Sequence, residues 1–149
     1  MYASGSNFYG QLGQGNTDEG LAPCVKIDNL EQVRMIAAGE TFSAAITEPG
    51  PQETRLFTWG GGAHGALGHD NEEDVYTPKV VEALDNDSIL MQQIVCGGSH
   101  MALLAVDNSP PEPHGRQRAM TVSKLQVNDD DRWVTLGQHE PTYSALSTN

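Results

Sequence analysis

The chain has 149 residues, a length that suits one domain. It carries 20 Asp and Glu against 8 Lys and Arg, a formal net charge of −12, which disfavours direct binding to nucleic acid or to an anionic membrane. No apolar run is long enough to cross a bilayer and no secretory signal is recognisable, so we expect a cytoplasmic or nuclear location. The two cysteines, Cys24 and Cys96, are expected to be reduced thiols.

Two parts of the first hundred residues resemble each other. Tyr2–Val25 (YASGSNFYGQLGQGNTDEGLAPCV) aligns with Phe57–Val80 (FTWGGGAHGALGHDNEEDVYTPKV) at a spacing of 55 residues, with seven identities that include Val25 and Val80. Farther along, Met35–Thr47 (MIAAGETFSAAIT) aligns with Ile94–Val106 (IVCGGSHMALLAV) at a spacing of 59, which implies a four-residue insertion in the second copy. A recurring unit of this length is typical of propellers and solenoids.

Glycines are concentrated in the aligned turns. Gly60, Gly62 and Gly65 have the spacing of a dinucleotide-binding loop, but that loop needs a helix that begins at the third glycine. The residues that follow, ALGHDNEEDVYTPKVV, include a proline and four acids and show no apolar stripe at helical spacing. The repeat instead predicts a tight turn with positive φ angles and an inward-pointing leucine. The turn and plug residues are Gly10, Leu12 and Gly13 in the first copy and Gly65, Leu67 and Gly68 in the second.

The pattern predicts β-strands throughout residues 1–106. In TFSAAIT, alternation places Phe42, Ala44 and Ile46 on one face of a strand. The turn-rich EPGPQE separates it from RLFTWG, which predicts a hairpin with a long loop over Glu48–Arg55. MALLAV (Met101–Val106) is apolar at every position, and this predicts a strand that is covered on both faces.

The composition changes after Val106. DNSPPEPHGRQR and NDDDR are polar, and the first is rich in proline, so this part of the chain is a linker or a long loop. VTLG resembles FTWG, and YSALSTN resembles HGALGHDN, which makes the tail a candidate for a decayed third repeat. The expected organisation is two repeats, 1–55 and 56–106, a linker over 107–133 and a tail over 134–149.

The recurring residues resemble those of the regulator of chromosome condensation repeat family. GSNFYGQLGQGN is close to that family's glycine turn, and TWGGGAHGALGHDN carries its characteristic Trp-Gly. CGGSHMALL resembles the family's Cys-Gly-x-x-His segment, with His100 in the histidine place, where the first copy has Thr41. The resemblance covers residues 2–106.

The resemblance implies an all-β fold: a partial β-propeller of about two four-stranded antiparallel blades, a fragment of a seven-bladed ring. His100 is then expected to be a hydrogen-bonded structural histidine. Ring closure hides the edges of blades, and two repeats are fewer than stability usually needs. We therefore expect the chain to be one piece of a longer propeller or of an assembly, and to self-associate through exposed blade edges.

No catalytic or metal-binding constellation is recognisable. Ser99 and His100 are neighbours on a strand and point to opposite faces, so they cannot form a catalytic pair. His64, His69 and Asp70 lie close in sequence, but their spacing matches no zinc signature. DNEED lacks the ligand spacing and central glycine of a calcium loop. The sequence predicts no enzyme, no metal and no cofactor.

These observations favour a non-enzymatic protein–protein interaction module. The alternative implied by the resemblance is a guanine-nucleotide exchange regulator of a Ran-like small GTPase; a second alternative, a chromatin-associated propeller, conflicts with the acidic charge. The expected partner is a protein, with a small GTPase as one candidate, and neither nucleic acid nor membrane. The predicted contact surface combines the loop at residues 48–55 with the insert at 107–133. Its candidate contact residues are Glu48, Glu53, Arg55, Arg116, Arg118 and Arg132.

Overall fold

The computed structural model describes residues 1–18, 24–85 and 87–107, the last of these by its backbone. These ranges contain eight β-strands, two short 3₁₀ turns and no α-helix. None of the helical turns in them is long or apolar enough to span a bilayer. The strands are β1 Tyr2–Ala3, β2 Val25–Lys26, β3 Val33–Ala38, β4 Phe42–Gly50, β5 Glu53–Gly60, β6 Val75–Val80, β7 Ile89–Cys96 and β8 Met101–Asp107, and the 3₁₀ turns are Ala63–Gly65 and Glu82–Leu84.

The strands form three antiparallel sheets. β3, β4, β5 and β6 follow one another in a four-stranded sheet, which we call the central blade. β1 pairs with β2 in the first half-blade, and β7 pairs with β8 in the second half-blade. The described residues therefore supply the strands of two blades as one whole blade and two halves, and the all-β partial propeller predicted from the sequence is confirmed.

Two apolar layers hold the three sheets together. The smaller core joins the first half-blade to the central blade and includes Ile27, Leu30, Ala45 and Trp59. The larger core lies between the central blade and the second half-blade. Its buried members are Phe42, Ala44, Ile46, Leu56, Ala66, Leu67, Val81, Met91, Ile94, Met101, Leu103 and Ala105. Each face of the central blade is thus covered by a different half-blade, as stacked blades require.

The predicted long loop over residues 48–55 is wrong. β4 continues to Gly50 and β5 begins at Glu53, so the connection is the two-residue turn Pro51–Gln52. The β4–β5 register shifts between Thr47 and Gly50, around a proline that has no N–H to donate to the ladder. This irregularity admits the proline while the hairpin continues beyond it, and the turn-rich sequence gave no sign of that.

The second half-blade corrects the expectation that MALLAV is covered on both faces. Met101, Leu103 and Ala105 are buried in the larger core, whereas Leu104 and Val106 are exposed. One face of β8 points towards the central blade. The opposite face meets no other sheet among residues 1–18, 24–85 and 87–107, and its side chains remain accessible.

The spacing between the two inner hairpins is 58 residues, and the predicted spacing of 59 is wrong. In the first hairpin the Gly39 N–H donates to the Phe42 carbonyl at 2.8 Å, and in the second the Gly97 N–H donates to the His100 carbonyl at 2.7 Å. A Cβ on either glycine would overlap the ring of its partner. His100 therefore corresponds to Phe42 and not to Thr41, and the insertion in the second copy is three residues long. A one-residue slip of this kind exchanges the two faces of a strand.

The pairing of Val25 with Val80 is also displaced by one residue. Lys26 lies opposite Tyr2, as Val80 lies opposite Phe57. Backbone hydrogen bonds repeat the same relation: Ile27 donates to Met1 at 3.0 Å, and Val81 donates to Leu56 at 2.8 Å. The first half-blade thus corresponds to β5 and β6, the outer half of the central blade, and the second half-blade corresponds to its inner half, β3 and β4.

Candidate interaction surface

The first glycine turn has the geometry that the repeat predicts. The Gly10 N–H donates to the Asn7 carbonyl at 3.0 Å, and the Gly13 N–H donates to the Gly10 carbonyl at 2.9 Å. The φ angles of Gly10 and Gly13 are +74° and +70°, in the left-handed region that favours glycine. Leu12 is 5 % exposed. The turn therefore presents one leucine to the interior while its polar neighbours stay at the surface.

The second turn repeats this geometry. The Gly65 N–H donates to the Gly62 carbonyl and the Gly68 N–H donates to the Gly65 carbonyl, both at 3.0 Å. The φ angles of Gly65 and Gly68 are +62° and +74°. Leu67 is 1 % exposed and belongs to the larger core. No helix runs from Gly65 towards Glu73, so the backbone does not have the geometry of a dinucleotide-binding loop.

The first turn is fixed to the central blade by two polar side chains. Trp59 donates through Nε1, and Ser43 through its hydroxyl, to the Gln11 carbonyl, each at 2.9 Å. A Cβ at Gly13 would stand 2.9 Å from Trp59 Nε1, closer than packed atoms allow. Glycine at this position thus serves both the φ angle and the close approach of the indole ring.

Charged side chains cluster at the end of the β4–β5 hairpin. Arg34 Nε lies 3.4 Å from a carboxylate oxygen of Glu48. Arg55 lies 2.8 Å from Glu53 and, through Nε, 3.4 Å from Asp85. All five side chains are partly exposed. We call these five residues the hairpin surface; exposed ion pairs of this kind contribute little to stability, so a partner can replace them at low cost.

Thr54 anchors the hairpin surface from below. Its buried hydroxyl donates to the Ile89 carbonyl at 3.2 Å and accepts from the Met91 N–H at 2.8 Å. Ile89 in turn pairs with Asp107 at the end of β8. The chain that follows β8 therefore leaves from the same end of the molecule as the hairpin. Arg116, Arg118 and Arg132 lie outside the described residues.

His69 takes part in a hydrogen-bonded chain. The Thr58 hydroxyl donates to the Leu67 carbonyl at 2.7 Å and lies 3.0 Å from His69 Nε2. Since the hydroxyl has one proton, Nε2 must carry the proton of the second bond. Burial, and then the positive charge of Lys79, lower the pKa of His69. The described residues contain no group of three or more His, Cys, Asp or Glu side chains arranged to hold a metal ion.

His100 does not form the structural hydrogen bond that was expected of it. Its imidazole is exposed, and its ring packs over Gly97. Cys24 and Cys96 are both free, as expected for reduced thiols. Burial raises the pKa of Cys96 to about 11, so its thiol is protonated and unreactive at neutral pH.

Comparison with known proteins follows the same residues. The family model of the regulator of chromosome condensation (RCC1) repeat matches residues 1–46 and 53–104. The chain belongs to the RCC1 repeat family. Over 111 residues it is 36 % identical to the E3 ubiquitin-protein ligase HERC2 of Mus musculus, covering 71 % of this chain and 2 % of HERC2. It is 38 % identical over 98 residues to the ultraviolet-B receptor UVR8 of Arabidopsis thaliana, covering 64 % of this chain and 21 % of UVR8.

Among solved structures, Prp20p from Saccharomyces cerevisiae shares the fold with a TM-score of 0.56 and 20 % identity, over 67 % of this chain and 25 % of Prp20p. Prp20p was described together with its binding to Gsp1p and histones. At this identity the likeness concerns the fold alone. The RCC1 repeats of this chain thus span a small part of HERC2 and UVR8 and about a quarter of Prp20p.

Arg34, Asp85 and Thr54 were missed from the sequence. Arg34 lies in a strand whose partner was not recognisable over residues 48–50, and Asp85 follows a 3₁₀ turn in the inserted region of the second RCC1 repeat. Thr54 stood within the predicted loop, where a buried side chain is not expected. The correct hairpin register would have placed Arg34 beside Glu48 and turned Thr54 inward.

Proposed function

We propose that this chain is a non-enzymatic protein–protein interaction module and that the hairpin surface is its contact site. The observation that carries the proposal is the set of partly exposed ion pairs among Arg34, Glu48, Glu53, Arg55 and Asp85. They stand on a hairpin whose backbone is fixed by Thr54. A rigid base with replaceable charges is suited to specific recognition, because little order has to be created on binding.

The charge pattern specifies the kind of partner. Two arginines alternate with three carboxylates on the hairpin surface, within a chain of net charge −12. Complementary charges on a partner would steer its approach and fix its orientation more than they would raise affinity. A protein surface with mixed charges and an excess of Lys or Arg fits best.

The insert after β8 extends this proposal. Because β8 ends beside the hairpin, the insert at 107–133 starts next to the hairpin surface. Its arginines, Arg116, Arg118 and Arg132, would add basic groups for acidic residues of the partner. The two connections would then contribute to one contact area.

The test is charge reversal with a matched control. Arg55→Glu removes both ion pairs of its side chain, whereas Lys26→Glu reverses an equally exposed cation that pairs with Asp28 in the first half-blade. We expect the Arg55 variant to lose, at least about tenfold, proteins that the unaltered chain and the Lys26 variant both capture from cells, with equal far-UV circular dichroism. Equal capture by all three proteins would contradict the proposal.

A nucleotide-release assay separates the exchange-factor alternative. A regulator of a Ran-like GTPase would accelerate release of bound guanine nucleotide at substoichiometric amounts. We expect no acceleration by the 149-residue chain. Clear acceleration would replace the interaction module by the exchange factor as the function of this chain.

A further inference from the structure

Large aliphatic side chains are exposed at two opposite faces of the described molecule. Ile36 is 63 % exposed on the face of the central blade that also carries Ala45, its cross-strand neighbour. Leu104 is 44 % exposed, and Val95 and Val106 are exposed with it, on the outer face of the second half-blade. Exposed apolar faces of sheets commonly mark sites of association.

Both exposed faces have buried counterparts within the same molecule. At the spacing of 58 residues, Ile36 corresponds to Ile94, which is 4 % exposed, and Leu104 corresponds to Ile46, which is 0 % exposed. Ile46 and Ile94 lie in the same core, where the central blade packs against the second half-blade. The exposed faces are therefore the two sides of an interface that the molecule already contains once.

The free strand edges are complementary in the same way. The first half-blade corresponds to the outer half of the central blade, and the second half-blade corresponds to its inner half. In the central blade β4 pairs with β5. Among the strands that the structure describes, β8, the counterpart of β4, and β1, the counterpart of β5, each have an unpaired edge. Together the two half-blades contain the strands of one blade.

Gly5 shows that the edge of β1 has the backbone of a paired strand. Its φ is +120°, close to the +107° of its counterpart Gly60. At Gly60 a Cβ would stand 2.5 Å from the Thr41 carbonyl and 2.7 Å from the Phe42 Cα, so glycine admits β4 there. At Gly5 a Cβ would meet nothing within 4 Å. The conformation that accommodates a neighbouring strand is present at a place where the described residues provide none.

We propose that copies of this chain associate head to tail, with the second half-blade of one copy and the first half-blade of the next forming a complete four-stranded blade. By the correspondence with β4 and β5, His100 of one copy lies opposite Gly5 of the second copy, and Ala102 lies opposite Ala3. The face that carries Leu104 then packs against the face that carries Ile36. Both apolar faces and both strand edges are satisfied by this single contact.

A second copy fits better than a strand from elsewhere in the chain. A strand added to β8 alone would leave Ile36 and the edge of β1 accessible, whereas the second copy covers both. The contact joins two different surfaces, so it is heterologous and gives a closed ring or an open chain of copies. Each additional copy would leave the same two faces for the next one.

The experiment uses two variants that block opposite sides of the contact. Ile36→Lys disables one face and Leu104→Lys disables the other, while Phe8→Lys changes an exposed aromatic in the first turn and serves as control. The mass of the full chain and of each variant is measured by light scattering over a range of concentrations, with far-UV circular dichroism as a check on folding. We expect the unaltered chain and the Phe8 variant to exceed the 16.0 kDa of one copy as concentration rises, and each face variant alone to stay monomeric.

The mixture of the two face variants is decisive. The Ile36 variant retains an intact Leu104 face and the Leu104 variant retains an intact Ile36 face, so one contact can form and no second one can follow. We expect an equimolar mixture to give a 1:1 dimer that does not grow further. A monomeric unaltered chain, or a mixture of folded variants that stays monomeric, would overturn the proposal.

A cross-link gives an independent measurement if the lysine variants fail to fold. Ala3→Cys and Ala102→Cys, made in separate copies, place two thiols on paired positions of adjacent strands, within the range of a disulfide. We expect a disulfide-linked dimer on mild oxidation of the mixture and none from the unaltered chain, which contains Cys24 and Cys96. Absence of this dimer at concentrations where the unaltered chain associates would also overturn the proposal.

Discussion

The two glycine turns share one backbone and stabilise it by different means. In the first turn the buried Asn7 side chain accepts from the Leu12 N–H at 3.0 Å and donates to Asn16, to its carbonyl and side-chain oxygens, at 3.1 Å each. Nδ2 also lies 3.3 Å from the Asp18 carbonyl. One amide thus ties the turn to the chain that leaves it.

In the second turn the position of Asn7 is taken by Gly62. A Cβ at Gly62 would overlap the Glu73 carbonyl, because the backbone of Glu72 and Glu73 occupies the space beside it. The Gly62 N–H donates to an Asp74 carboxylate oxygen at 2.9 Å. Direct backbone contact here replaces the side-chain bridge of the first turn, so a repeat can keep its shape while the residue that holds it changes.

The largest difference between the turns is expected at their leucines. Leu67 is a member of the larger core, whereas Leu12 lies outside both core clusters. Leu67→Ala should lower the free energy of unfolding by about 2–5 kcal/mol, near the upper end of that range, and Leu12→Ala by less. Urea denaturation followed by circular dichroism compares the two. Equal effects would show that both turns pack against equally rigid surroundings.

Alanine at the first position of each turn should destabilise for opposite reasons. Asn7→Ala leaves the buried Leu12 N–H without its acceptor, which costs about 1–3 kcal/mol. Gly62→Ala adds a methyl group where the Glu73 backbone stands, and the cost is that of displacing this loop. Denaturation gives both values. The double-bridge interpretation of Asn7 fails if Asn7→Ala has the stability of the unaltered chain.

The smallest expected difference concerns pH. Burial lowers the pKa of His69 in the folded chain, so the unfolded chain binds the proton first as pH falls. The associated stability is present above the ordinary histidine pKa and is lost as pH falls through the lowered one. Gln14, the counterpart of His69, does not titrate and bonds the Lys26 carbonyl at 2.9 Å. His69→Gln should therefore flatten the dependence of the unfolding midpoint between about pH 7.5 and about pH 5.5, and an unchanged slope would contradict this.

The sequence was sufficient for the turns, because positive φ angles at spaced glycines and one inward leucine leave a recognisable pattern. It was also sufficient for the alternation that buries Phe42, Ala44 and Ile46. It was not sufficient for the register of the inner hairpins. At a spacing of 58 or 59 residues small apolar residues align with one another, and the backbone bond between Gly39 and Phe42 decides between them.

The errors at the candidate site have a related cause. EPGPQE has the composition of a loop, yet strand structure depends on context more than on composition, and the β3 and β6 neighbours keep this segment in the sheet. Exposure of Leu104 was not predictable from MALLAV, since an apolar residue indicates a surface that can be covered and does not reveal what covers it. Both errors concern partners that are distant in sequence.

The central blade takes β3 and β4 from the first RCC1 repeat and β5 and β6 from the second. A duplicated copy of one repeat would therefore not insert a ready-made blade between two others. It would supply the outer strands of the blade before it and the inner strands of the blade after it, in the order that lets every new strand find a partner. The number of repeats in a gene of this kind can grow or shrink one unit at a time without stranding half a blade in the middle of the chain.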